Sequence, residues 1–259
     1  SGVLKLPHAQ INPAQTNLAY QQAFLRQGGH RTIALVRNLL TSANTIRGVE
    51  TNLGNFYAAN TVICAGGLTR RLLPTENLNL PLYFTYAQLI KTPPVTTQLN
   101  SLIMPAVQAR FTLEAQASQL DWLSLEQDNI PNSAKIPPIL DIGAAQFKDG
   151  SICLGQISGI PANLGIELDL QQAEAKIRQG IANILPSLAN LPGKCHQCLV
   201  AFTHPGIAVI GQLPQHPGGY IFSGFTSALL YTPPLARRFA QWATGQTDQI
   251  IAKLTASLN

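Results

Sequence analysis

The feature that most constrains this chain is "TVICAGGLTRRLL", residues 61–73: an apolar run, a turn of small residues and a helix-forming stretch in direct succession. A strand without polar alternation is expected where a sheet is covered on both faces. At Ala65-Gly66-Gly67 the lack of side chains lets main chain come close to a flat ring or a phosphate. A helix starting just after would turn its free N–H groups toward an anion. The stretch therefore reads as one edge of a nucleotide-binding sheet. Such a domain normally opens with a G-x-G-x-x-G turn, and none occurs in the 259 residues.

Composition limits the alternatives. Hydrophobic residues make up 46% and charged residues 11%, which suits a folded globular chain rather than a disordered one. The net charge of +5 is spread out except at Arg70-Arg71 and Arg237-Arg238, and few aromatics lie among the basic residues overall. That pattern argues against nucleic acid as a partner and gives Arg237-Arg238 the reading of a solvated helix face. No apolar run reaches the roughly 18 residues that span a bilayer, so no membrane partner is expected. "SGVLKLPHAQ" lacks a basic segment followed by an apolar core, and four cysteines do not make a disulfide framework. A cytoplasmic location is the expectation. Cys195-His196-Gln197-Cys198 has no second ligand pair to complete a zinc site and leads into an apolar strand, so it reads as structural and no metal is expected.

Along the chain, Asn12 and Pro13 open a helix that Gly28-Gly29 stop, with Leu18, Ala19, Phe24 and Leu25 as an imperfect apolar face. "TIALVRNL" and "TIRGVETN" read as strands of an antiparallel meander that turns at "LGN" and continues into "FYAANTVICAGG". From Leu80 to Gly159 the strands expected are "LYFTYAQLI", "QARFTLEAQ", "LDWLSLEQ", "ILDIGAAQF" and "SICLGQIS". A helix over 169–185 follows, capped by Asp169 and ended by Pro186. "CLVAFTHPGIAVIG" and "GGYIFSGF" read as strands. The last helix is expected from "TPPLARRFAQWATG", with Thr232 as cap and Gly245 as stop. The fold class expected is α+β: residues 1–75 and 200–259 form an incomplete α/β nucleotide-binding lobe, and residues 76–199 an antiparallel sheet lobe with one long helix.

Three stretches in this order, "INPAQTNLAYQQAFLRQGG", "GVETNLGNFYAANTVICAGGLTRRLL" and "FTHPGIAVIGQLPQHPGGYIFSGFTSALLYTPPLARRFAQWATG", together resemble the FAD-dependent oxidoreductases of the D-amino-acid oxidase, glycine oxidase and sarcosine oxidase family. "YAQLI" and "DGSICLGQIS" are similar to weaker positions of that family's substrate lobe. The resemblance implies FAD as cofactor, with Ala65, Gly66, Gly67 and Leu68 along it, Gly224, Phe225, Thr226 and Ser227 lining the flavin ring, and Gly211 shaping the approach. It implies oxidation of a C–N bond in a small amine or amino acid by hydride transfer to flavin, with Tyr86 and Gln88 on the substrate side. No catalytic base is nominated. His204 and His216 read as turn residues, Tyr83, Tyr220 and Tyr231 as packing residues with a polar tip, and Trp122 and Trp242 as packing residues.

Departures from the family pattern shape the expectation. The chain reads as beginning after the segment that carries the phosphate turn, which leaves an unpaired edge beside "TVIC". Where the family places a carboxylate-binding Arg, this sequence has "CLVAFTHPG", with Val200 or a neighbour at that point. The family's R-G-Q appears as Tyr86-Ala87-Gln88. Losing a bidentate clamp favours a neutral or amine substrate over a zwitterion. The alternatives are a flavin-free relative acting as a binding or assembly module, or one half of a two-chain enzyme completed by a partner chain or an N-terminal segment.

Overall fold

The computed structural model describes residues 3–7, 10–73, 80–107, 109–120, 136–161 and 167–255. The expected strand "LDWLSLEQ", with Trp122, lies outside the described residues except for its first position. The fold is α+β, and the chain divides into two compact units. One comprises residues 1–30, 85–116 and 120–200, and the other residues 31–84, 117–119 and 201–259.

In the second unit, β1 (Val36–Ser42), β2 (Thr45–Thr51) and β3 (Gly54–Tyr57) form the antiparallel meander. It does not continue into "TVI". β4 (Thr61–Ile63) leaves the meander and joins a separate sheet of order β4-β10-β9, with β9 spanning Val209–Gln212 and β10 spanning Gly219–Ser223. β10 runs parallel to β4 and antiparallel to β9. Just before β10, Gly218 has φ +78°, and a Cβ there would fall 2.5 Å from the Ile46 carbonyl oxygen. Only a bare backbone fits there.

Strand alternation gives this small sheet two apolar faces. Val209 and Ile221 join Ile46, Ile63 and Leu82 on one side. Ile210 and Phe222 join Leu235, Phe239 and Ile251 of the closing helices α5 (Ala228–Ala243) and α6 (Gln249–Thr255) on the other. Phe239 stacks near Phe222 at 5.2 Å between centroids, and Tyr220 meets Trp242 edge-on at 6.2 Å. Each fully covered aromatic contributes about 1.5–3 kcal/mol of apolar burial.

Two expectations for this unit are corrected. β4 is not covered on both faces: Val62 is 44% exposed, and β4 forms the edge of its sheet among the described residues. Nor does α5 begin at Thr232. It begins at Ala228, after Ser227 in the left-handed region, and carries Pro233 and Pro234 inside. Burial of Leu235 and Phe239 holds the helix through residues that would otherwise break it. Gly245, at φ +99°, lies just beyond the end.

Mostly in the first unit, a four-stranded sheet has the order β6-β7-β5-β8, with β5 spanning Leu82–Lys91, β6 Ile139–Gln146, β7 Ile152–Gly159 and β8 Lys194–Thr203. α4 (Leu170–Ile184) covers it through Ala173, Ile177 and Ile181. Asp169 caps α4 by accepting from the Gln172 N–H at 2.9 Å. Arg178 ties its far end by donating to the carbonyls of Ala189 and Leu191.

The expected strand at "QARFTLEAQ" is instead a helix, α3 (Ala109–Ala117). Leu113 and Ala117 are buried one turn apart, and Arg110 pairs with Glu114 at i,i+4, so the helical period wins over the alternation. α1 (Pro13–Arg26) forms where expected, with Asn12 Oδ1 accepting from the Gln15 N–H at 3.1 Å, but none of its residues is buried.

Candidate functional site

The parallel pairing of β4 and β10 decides the geometry of the site. Ile63 lies opposite Ile221, so both chains leave their strands at the same end. One passes into Cys64-Ala65-Gly66-Gly67, the other into Gly224-Phe225-Thr226. Crevices beyond the carboxyl ends of neighbouring parallel strands are where open α/β sheets bind ligands.

Three buried hydroxyls weld these turns together. Ser223 donates to the Ile63 carbonyl at 3.0 Å, Thr69 donates to Ser223 Oγ at 2.8 Å, and Thr203 donates to the Gly224 carbonyl at 2.6 Å. Thr226 is anchored by its N–H to the Ile207 carbonyl at 2.9 Å, and Phe225 rests on Phe222 at 4.7 Å. Thr69 and Thr203 have no mark in the sequence. Their partners are distant along the chain, and a lone threonine carries no local signal.

The small residues serve different ends. Gly66 has φ +57°, and a Cβ there would meet nothing nearer than Ala201 Cβ at 3.8 Å, so the backbone faces open space. A Cβ on Gly67 would lie 2.2 Å from Phe84 Cζ, and one on Gly224, at φ +71°, 2.1 Å from Leu82 Cδ2. Gly66 thus offers bare main chain outward, while Gly67 and Gly224 let the turns sit tightly on the core. Ala65 precedes a single 3-10 turn over Gly66–Leu68, and α2 (Thr69–Leu72) is only four residues long. The expected anion-facing helix end is therefore too short to carry much dipole.

Leu68 and Ser227 are exposed at the ends of the two turns, whereas Gly211 is buried within β9 opposite Ile221 and is not at the strand ends. Of the turn glycines, Gly66 is the one whose bare backbone faces open space, as the approach of a flat ring requires. A glycine turn for a pyrophosphate is absent from the sequence.

The first unit holds Tyr86 and Gln88 on β5, both facing the α4 side of the sheet and lining a cavity of about 320 Å³. A second cavity of about 280 Å³ includes Arg110, Asp141 and Gln156. Its charges are partnered: Arg110 bonds Glu114 at 3.2 Å, and burial pushes the Asp141 carboxyl up while Arg110 draws it back down. Cys195 packs at the edge of the core and Cys198 is exposed on β8. Among the described residues no cluster of His, Cys, Asp or Glu could hold a metal ion, and no helix is long and apolar enough to cross a membrane.

Residues 1–242 match the family described as DAO, FAD dependent oxidoreductase. The chain belongs to that family. Solved structures similar to this DAO-family chain include iminodiacetate oxidase from Chelativorans sp. BNC1, at TM-score 0.69 and 14% identity over 91% of this chain and 56% of that one. L-proline dehydrogenase from P. horikoshii matches at TM-score 0.66 and 17% identity, over 93% of this chain and 58% of that one. Glycine oxidase from Bacillus cereus ATCC 14579 matches at 0.62 and 14%, over 85% and 52%. At these identities the likeness is one of fold. The chain spans about half the length of the solved structures it matches. No curated protein matches it by sequence.

Proposed function

We propose that the paired turns after β4 and β10 form the ring-facing part of an FAD site, and that the protein oxidises a C–N bond of a small amine or amino acid. The observation that carries this reading is the adjacency of two small-residue turns at the same end of parallel strands, in a chain of an FAD-dependent oxidoreductase family. FAD, when bound, supplies a hydride acceptor. The backbone of Ala65, Gly66 and Gly67 lies along it, and Gly224, Phe225 and Thr226 fix the second edge. The Thr69–Ser223–Ile63 bonds hold the two edges at constant separation, which spares reorganisation when the ring enters. Tyr86 and Gln88 are the substrate-side residues in this reading. The similar structures named for iminodiacetate, glycine and L-proline lend support to a nitrogen-bearing substrate.

A second reading follows from the open edge of β4: a partner chain or further segment pairs with that edge and completes the site. Anaerobic mixing of FAD-loaded protein with a panel of primary and secondary amines and amino acids tests the chemistry. Bleaching of the flavin band by at least one of them is the expected result. A flavin that stays oxidised against the whole panel contradicts C–N oxidation.

A further inference from the structure

Tyr86 and Gln88 stand two residues apart on β5, so their side chains leave the same face of the sheet. Each is 4% exposed as a residue, yet neither polar end is among the sealed, unpartnered side-chain atoms of the described residues: both keep access to open space. Buried phenols and amides are rarely left bare. Here both open into one cavity of about 320 Å³ beneath α4. The Tyr86 ring lies across Gly159, its register partner on β7, where a Cβ would come within 2.3 Å of the phenol oxygen. Burial pushes the Tyr86 phenol up, so the hydroxyl keeps its proton and stands as a donor.

The charge around this cavity sits at its mouth. Asp169 is exposed and engaged as the α4 cap, and Lys176 is exposed and donates to Gln172 Oε1 at 3.3 Å. At the floor Tyr86 and Gln88 offer neutral donors and an acceptor, between apolar walls that include Leu140, Ile157 and Ala173. A charged head placed there would lose hydration without meeting an opposite charge. A neutral carbonyl or carboxamide matches the amide of Gln88 and the hydroxyl of Tyr86.

We propose that this cavity binds a small neutral ligand bearing a carboxamide or similar carbonyl, held by Gln88 and Tyr86 with its apolar part against Leu140 and Ile157. This deepens the reading of both residues as substrate contacts, with the neutral carbonyl being the end of the substrate remote from the oxidised C–N bond. Binding itself needs no flavin, so failure here and failure of the oxidase reading are distinguishable.

The test titrates the full chain, without FAD, with isobutyramide, isobutyrate and isobutylamine, following binding by NMR. Isobutyramide is expected to saturate, binding about tenfold or more tighter than either charged analogue. Gln88→Leu and Tyr86→Phe should each weaken it by about tenfold. Because both polar ends open into the cavity, both variants should melt no lower than the parent. Three results would overturn the proposal: no probe saturates, as for a cavity holding only water; a charged analogue binds as well; or Gln88→Leu melts several degrees lower, which would mean the amide has a partner inside the fold.

Discussion

Thr69 donates its hydroxyl to Ser223 across 2.8 Å, although 154 residues separate them. Ser223 in turn donates to the Ile63 carbonyl at 3.0 Å, so one buried oxygen links the ends of β4, β10 and α2. Ser223→Ala removes the acceptor for Thr69 and the donor for Ile63 at once. The expected loss is about 1–3 kcal/mol of stability, read as a lower denaturant midpoint with unchanged slope. An unchanged midpoint would mean the three segments are held together by packing alone.

The two adjacent glycines separate stability from site access. Gly67→Ala drives a methyl into the Phe84 ring, which is buried in the core, and should cost about 1–3 kcal/mol. Gly66→Ala meets no overlap and bears only the left-handed backbone penalty of about 1–2 kcal/mol. Gly67→Ala should therefore lower the melting temperature at least as much, while Gly66→Ala places its methyl in the open space proposed for the flavin. A Gly66→Ala variant that melts far below Gly67→Ala would contradict this division.

Asp248 caps α6, accepting from the N–H groups of Ile250 and Ile251 and from Arg238 at 2.7 Å. The Ile251 N–H foremost, then Arg238, hold its carboxyl below the usual carboxylate range. A depressed folded value makes the cap's contribution fully present above the unfolded value of about 3.9 and lost as pH falls through the folded one. Ile251 is wholly buried, so α6 should loosen on acidification below about pH 4. Asp248→Asn should flatten that part of the stability-versus-pH curve. A curve of the same shape would place the acid sensitivity elsewhere.

Pro234 is exposed inside α5 and withholds an N–H from the helix. Pro234→Ala restores a donor for the Leu230 carbonyl, at the expense of a freer unfolded chain. The balance should favour the variant by about 1–2 kcal/mol, seen as a higher melting temperature. A lower one would show that the ring packs usefully where it stands.

How far the sequence revealed this molecule depended on range. α1 and α4 were legible because their caps, Asn12 and Asp169, act within three residues. α3 does not match the strand expected there: "RFTLEAQ" alternates as well as it spirals, and only the burial of Leu113 with the Arg110–Glu114 pair favours the helix. The start of α5 was hidden because tertiary burial of Leu235 and Phe239 overrides two prolines. At the site, small-residue turns after apolar segments marked Ala65–Gly67 and Gly224 correctly as strand-end turns. Thr69, Thr203 and Ser223 acquire their roles only when segments far apart in sequence meet, and Gly211 turned out to lie within a strand.

The most direct test of the central claim is retention of FAD after desalting, read from the visible spectrum of the parent chain and of Gly66→Val. The visible absorption bands of a bound flavin are expected on the parent, and their loss in Gly66→Val without loss of folded signal. A parent chain that stays colourless, or a Gly66→Val variant that holds FAD equally well, would contradict a flavin site at the turns after β4 and β10.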